Sequence, residues 1–354
     1  MREGFKPQLL TTKIILGSMM LKESIEKLIA RESLDEKSSA ACIEEILTNK
    51  EIALAAAFLT LLRAKGENAN EVQGIVRTMR QHMIQVRPKS EVLDIVGTGG
   101  DGANTVNIST GASLLAAASG VAVAKHGNRS VSSRCGSADL LESCGIKLSL
   151  GPEEVAACID KLNIGFMFAP AFHPAMKVMA PIRRSLGIKT VFNIIGPLLN
   201  PAQASFLLLG VWDRNLIDLV AKVLMDLGTK RAYVFHSCGL DELSPLGKSE
   251  GSLVESGKMT RLSIDPKDYD IPACELKDLQ GGGPEENKSL LLQAFITTSH
   301  PISHSLKLNA GLGLWLAGKK PNIKEAIHSL DEVLEKGLAI DLLEKWKSFS
   351  QNTA

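Results

Sequence analysis

Apolar positions along this chain follow two different rhythms. From about residue 20 to residue 89 they recur at helical spacing, as in Leu21, Ile25, Leu28 and Ile29, and again in EIALAAAFLTLLRA and EVQGIVRTMRQHM. Ser33 with Glu36 reads as a capping box, Thr48 with Glu51 as a second, and Asn70 as the cap of a further helix. Gly66 after Lys65 reads as a helix stop. No convincing alternating run interrupts the stretch, so it predicts a small all-helical domain over residues 20–89.

Near Ser90 the rhythm changes. VLDIV, GVAVAK, GFMFA, KTVF, SFLLLGV and RAYVFH are short apolar runs separated by helical segments. Strands buried on both faces read this way, so residues 90–354 predict a large α/β domain with a mostly parallel central sheet flanked by helices. The segment HPAMKVMAPIRRSLGI, 173–188, reads as a helix between strands, and its periodicity does not say which domain it covers. The GGGP run at 281–284 reads as a flexible loop, and the tail returns to helix.

Composition then narrows the partners. Among 354 residues, 40 Lys plus Arg face 39 Asp plus Glu, for a formal charge of +1, and aromatics are 4%. The balance argues against a general polyanion binder, and stacking surface for single strands is scarce, so no nucleic-acid partner is expected. The apolar patch near the start is broken by Gly17 and Ser18. It is too short for a membrane span and lacks a signal-peptide core, so no membrane association and a cytoplasmic location are expected. Six cysteines without a C-x-x-C pair read as reduced thiols.

Three loops carry the candidate chemistry. In DIVGTGGDGANTVNIST, 94–110, a strand runs through Gly97, Gly99, Gly100 and Gly102 into Asn107, Ser109 and Thr110 at a helix start. Bare backbone, hydroxyls and free helix N–H groups form an anion site of the phosphate type. No Lys follows, as a P-loop requires. Gly97, Gly99 and Gly102 match dinucleotide spacing, but Asp101 would repel a pyrophosphate and the ribose carboxylate is missing. Asp101 suits ribose hydroxyls, a metal ion, or loop N–H groups that it orders.

The second loop, KHGNRSVSSRCGSADLLE at 125–142, puts Lys125, Arg129 and Arg134 among serines, which suits a multiply charged phosphate. Gly127-Asn128 permits a sharp turn, and the Asn128 amide could meet a second substrate. In the third, HSCGLDELSP at 236–245, Asp241 and Glu242 are adjacent hard donors that suit Mg²⁺ beside phosphates. Adjacent side chains tend to diverge, so two ions, or one with bridging waters, are expected. Arg183-Arg184 could clamp a carboxylate through a forked pair.

These segments, with GFMFAPAFHPAMKVMAPIRRSLGIKTVFNIIGPLLNP and GLDELS, resemble the anthranilate phosphoribosyltransferase family over about residues 30–345. KHGNR and FNIIGPLLNP are the most specific. The resemblance implies a nucleoside phosphorylase/phosphoribosyltransferase-like fold, a homodimer formed through the helical domain, and packing of 173–188 with that domain. It implies transfer of phosphoribose from phosphoribosyl pyrophosphate to the amino group of anthranilate, with Mg²⁺. Its substrate-binding set would be Gly97, Gly100, Asp101, Thr105, Asn107, Ile108, Ser109, Thr110, Lys125, His126, Gly127, Asn128, Arg129, Ser132, Ser133, Ser137 and Arg183. Ser109, Asp241 and Glu242 would address the metal. Asn128 and Arg183 would meet anthranilate, with His126 and 170–176 near its channel. Lys125, Asn128 and Arg183 would act by electrostatics and positioning, since no Ser-His-Asp pattern or G-x-S-x-G elbow supplies a covalent route. Cys135 departs from the small hydroxyl residue of many members. Asn49-Lys50 and Asn287-Lys288 depart from the usual Gly-Glu and Asn-Ala. A pyrimidine-nucleoside phosphorylase shares the architecture but carries a different basic loop without KHGNR.

Overall fold

The structure, a computed structural model, describes residues 20–130 and 134–353. In chain order it begins with α1 (residues 20–29), α2 (Glu36–Asn49), α3 (Ile52–Lys65) and α4 (Ala69–Gln81). There follow β1 (Leu93–Gly97), α5 (Ile108–Ala118), β2 (Val123–Gly127), α6 (Ser137–Ser143), α7 (Pro152–Leu162), β3 (Ile164–Phe168) and α8 (Ala169–Phe172). After α9 (Met176–Leu186) come β4 (Phe206–Gly210), α10 (Ile217–Asp226), β5 (Arg231–Ser237), β6 (Ser249–Glu255) and β7 (Lys258–Ile264). The chain closes with α11 (Pro284–Ala294), α12 (Pro301–Leu316), α13 (Ile323–Glu335) and α14 (Leu338–Asn352). Contacts divide it into two compact units, one running through Met83 and including His173–Ile195, the other Ile84–Phe172 with the remainder from Gly196.

Helix starts in the first unit differ from the sequence expectation by two or three residues. Asp35, in extended backbone, caps α2 by accepting the Ser38 N–H at 2.7 Å, so Ser33 is not the cap. Thr48 donates back to the Glu44 carbonyl at 2.8 Å inside α2, and Glu51 begins α3 without a side-chain cap bond. Asn68 and Glu71 form the capping box of α4, which leaves Asn70 inside the helix. Gly66 does end α3. KTVF is not a strand: the Asn193 side chain accepts the Thr190 N–H at 3.0 Å and closes a 3₁₀ turn over Val191–Asn193, within the first unit.

The second unit is a seven-stranded sheet in the order β3-β2-β1-β4-β5-β6-β7. β1 to β5 run parallel, and β6 and β7 are antiparallel additions. Ser256 (φ 51°) and Gly257 (φ 69°) supply the two left-handed positions of the tight turn joining β6 to β7. One core gathers Leu93, Ile95, Val123 and Leu208 of the strands with Leu115 of α5, Leu308 and Leu312 of α12 and Trp346 of α14. A smaller cluster of Val92, Ala124, Met167, Val155 and Ile159 includes two side chains of α7. Strands β1 to β4 are therefore almost wholly apolar, which is why they were legible as short runs. Among the described residues no helix is long and apolar enough to cross a membrane.

Candidate active site

β1 and β4 lie side by side where the strand order reverses, and their last residues, Gly97 and Gly210, are paired in register. Open α/β sheets bind ligands at such a switch point, beyond the carboxyl ends of the strands. The chain after β5 fills the notch the two glycines leave. A Cβ on Gly97 would lie 2.7 Å from Asp241 Cγ, and one on Gly210 would lie 2.9 Å from Asp241 Cα. Gly99, whose φ is 71°, donates its N–H to Asp241 Oδ2 at 2.5 Å. Gly100 and Gly102 are also left-handed, at 83° and 76°, so the loop turns three times where a side chain would strain it. Asp101 orders this turn by accepting the Ala103 N–H at 3.1 Å.

Glu242 departs from Asp241 as expected of neighbours. Its two oxygens accept the Ser109 N–H at 3.0 Å and the Thr105 hydroxyl at 3.1 Å. The start of α5 therefore holds a carboxylate of this chain, where the sequence had suggested free N–H groups. Burial pushes Asp241 well above the usual carboxylate range, with Glu242 and Asp101 adding repulsion. Burial also raises Glu242, to about 7, although the Ser109 N–H and Lys125 pull the other way. Among the described residues no three His, Cys, Asp or Glu side chains are arranged to hold a metal by themselves.

Lys125 is 1% exposed and donates to the Ile95 carbonyl at 2.9 Å, with Ser109 Oγ at 3.5 Å. Burial lowers its pKa, opposed by Asp94 and Glu242. Asp94 is fully buried and raised to about 6 by that burial, while Lys125 and an Asn200 hydrogen bond oppose the rise. The Asn200 amide donates to Asp94 Oδ2 at 2.7 Å and to the Ala124 carbonyl at 2.8 Å, tying β1 to β2. Asn309 of α12 grips the acidic loop, accepting the Leu243 N–H at 3.2 Å and donating to the Leu243 carbonyl at 2.7 Å. Neither asparagine stood out in the sequence. Asn200 is the penultimate residue of the FNIIGPLLNP segment, and that position was its one available signal.

Gly97, Asp101, Thr105, Ser109, Lys125, Asp241 and Glu242 are thus brought together. Other candidates are placed differently. Ile108 is a core residue, and Thr110 is buried within the first turn of α5. Arg129 is paired with Asp139 at 2.9 Å and Glu142 at 2.5 Å and lies over the Phe168 ring, so its charge is largely spent. Asn128 accepts the Ala138 N–H at 3.2 Å, close to Ser137 at the start of α6. His126 and Gly127 end β2. Ser132 and Ser133 lie outside the described residues. Arg183 belongs to the first unit, in the last turn of α9, half-buried with its guanidinium 5.9 Å from the Phe192 ring centre.

Two family models match the chain: the helical bundle domain of a glycosyl transferase family over residues 22–83, and its a/b domain over 89–340. An anthranilate phosphoribosyltransferase of Chlamydia caviae is 46% identical over 297 residues, covering 84% of this chain and 87% of the relative. One from Alkaliphilus metalliredigens is 41% identical, covering 94% and 99%. This chain belongs to the anthranilate phosphoribosyltransferase family. The crystal structure of the Thermus thermophilus member superposes with a TM-score of 0.86 at 42% identity, covering 93% of this chain and 99% of that one. The Saccharomyces cerevisiae member, solved with PRPP and Mg, gives 0.86 at 27% identity over 94% and 98%.

Proposed function

We infer that this chain is an anthranilate phosphoribosyltransferase of tryptophan biosynthesis. It transfers the 5-phosphoribosyl group from phosphoribosyl pyrophosphate to the amino group of anthranilate, giving N-(5-phosphoribosyl)anthranilate and pyrophosphate. The observation that carries this is the meeting of three separated loops at the β1/β4 switch point, through Gly99 to Asp241, Ser109 to Glu242 and Lys125 beside Ser109. The second unit, Ile84–Phe172 with the remainder from Gly196, is assigned the phosphoribosyl donor, held by Gly97, Gly100, Asp101, Thr105, Ser109, Lys125 and Ser137. The Lys125 ammonium, fixed by the Ile95 carbonyl, stabilises charge that develops on the leaving pyrophosphate. Arg183 is assigned the anthranilate carboxylate: it has no acidic partner among the described residues, and burial lowers its pKa. Asn128 assists. The aromatic amine is nearly neutral and needs no strong base, so positioning and electrostatics suffice.

Mg²⁺ suits the donor set. Asp101, Asp241 and Glu242 are hard oxygen donors; burial raises the Asp241 carboxyl, the repulsion of Glu242 and Asp101 adds to it, and a cation beside them relieves that repulsion. Ser109, Asp241 and Glu242 would hold it, and the bound ion supplies charge neutralisation to the diphosphate. Exposed apolar residues on the helical unit, Ile29 at 58% and Ile52 at 54%, support a homodimer through that unit. Six free cysteines support a reducing, cytoplasmic setting. The test is loss of anthranilate fluorescence in the presence of phosphoribosyl pyrophosphate and Mg²⁺, with uridine plus phosphate as a parallel reaction. Turnover of uridine without loss of anthranilate would refute the assignment.

A further inference from the structure

We propose that Asn287, on α11, is a positioning residue for the donor site, setting the spacing of the two phosphate loops through Asn107. The proposal rests on the reading of those loops as the phosphoribosyl pyrophosphate site. Asn107 is the last residue before α5. Its amide nitrogen donates to the Cys135 carbonyl, in the loop before α6, at 3.0 Å. Its amide oxygen accepts from the Asn287 amide nitrogen at 2.9 Å. The Asn287 oxygen in turn accepts the Gly282 N–H at 2.7 Å. A backbone acceptor stands at one end of this relay and a backbone donor at the other. Both amides therefore have one allowed orientation, since flipping either sets like atoms against each other. Asn287 is 1% exposed, so water cannot take over a lost bond.

The residues before Asn287 lie along the first phosphate loop as a strap. Val106 donates to the Leu279 carbonyl at 2.9 Å, Gly281 donates to the Asn104 carbonyl at 2.9 Å, and Thr105 and Gln280 form an antiparallel bridge. The tri-glycine run is thus ordered, which corrects its reading as a flexible loop. A Cβ on Gly281 would stand 3.0 Å from both Asn287 Cγ and Val106 Cα, so the strap sits this close because it is glycine. Thr105 and Ser109, which hold Glu242, are two residues either side of Asn107. Any slackening of the relay moves the glycine loop relative to the serine loop. Neither Asn287 nor the strap is assigned a contact with anthranilate, so the effect belongs to the donor.

The decisive variant is Asn287→Asp, which keeps an oxygen for Gly282 and loses the donor to Asn107. In the full-length enzyme, steady-state kinetics and calorimetric binding of phosphoribosyl pyrophosphate with Mg²⁺ should both weaken about tenfold for the donor. The anthranilate KM should stay within about twofold. Asn107→Ala should abolish the further effect of Asn287→Ala in the double variant. An unchanged donor KM and Kd, even with a lowered melting temperature, would leave Asn287 a purely structural residue and overturn the proposal. If Asn287→Asp does not fold, Asn287→Ser, too short to reach Asn107, is read by the same two measurements. A wild-type enzyme that neither binds nor turns over the donor would sink the functional reading and this inference with it. Wild-type turnover with an unaffected variant would sink the inference alone.

Discussion

Gly97→Ala should disable the acidic loop while sparing the fold. The added Cβ would stand 2.7 Å from Asp241 Cγ, whereas nonbonded carbons settle at about 3.5 Å or more, so the carboxylate must withdraw by roughly 0.8 Å. That shift costs the 2.5 Å bond from Gly99 and moves Asp241 from its place beside Glu242. A misplacement of about 1 Å at a reacting centre lowers rate by about 10²-fold, or about 2.7 kcal/mol of barrier. The neighbouring glycine supplies the contrast. At Gly210 the new Cβ meets Asp241 main chain, with Cα at 2.9 Å and the carbonyl nearer still, and a backbone cannot rotate away. Gly210→Ala should therefore lower the melting temperature, and Gly97→Ala should change it little. The assay is a magnesium titration of anthranilate consumption beside a thermal melt of each variant. Gly97→Ala with wild-type kcat and wild-type magnesium half-saturation would refute the notch as the support of Asp241.

Three further outcomes are expected. Arg183→Ala should raise the anthranilate KM roughly 10- to 100-fold, the worth of a charge-assisted pair, with the donor KM within about twofold; an unchanged anthranilate KM would remove the role. Asp241→Ala with Glu242→Ala should abolish magnesium-dependent turnover and leave the melting temperature unchanged or higher, because repulsion between buried acids is relieved; full activity would exclude the metal assignment. Burial raises folded-state Asp94 from 3.8 to about 6, so the native state holds this proton more tightly and stability falls by roughly 3 kcal/mol as pH rises from about 4 to about 6. Asp94→Asn should remove that slope from urea unfolding curves, and equal slopes in the two proteins would contradict it.

The parts of the fold that were legible are those whose signal is local. β1 to β5 are short runs made mostly of apolar residues, and Gly66 stops α3 because glycine needs no neighbour to tolerate the turn. The β6–β7 hairpin was missed although Ser256-Gly257 between two half-exposed runs is a hairpin signal. KTVF misled because its residues are apolar enough for a strand, while the turn is made by Asn193, which lies just beyond the run. Helix caps were misplaced for a related reason. Several polar residues compete near each start, and the winner depends on which one has extended backbone, as Asp35 and Asn68 do.

Residue types in the site were legible, but their pairings were not. Glu242 reaches Ser109 across 133 positions, Asn200 reaches Asp94 across 106 and Asn287 reaches Asn107 across 180. Spacing along the chain carries no information at such separations. The count of positive charge shows the consequence. Lys125, Arg129 and Arg134 looked like three cations for one phosphate, yet α6 places Asp139 and Glu142 against Arg129. Of the three, Lys125 is the buried one, facing Ser109 at the sheet edge. On the proposed reading, anion binding in this loop pair would draw chiefly on the desolvated ammonium, which acts at short range and depends on placement, because the Gly99 and Ser109 N–H groups already hold Asp241 and Glu242. A site of that kind tolerates exchange of its exposed arginines better than a shift of less than 1 Å in its glycines.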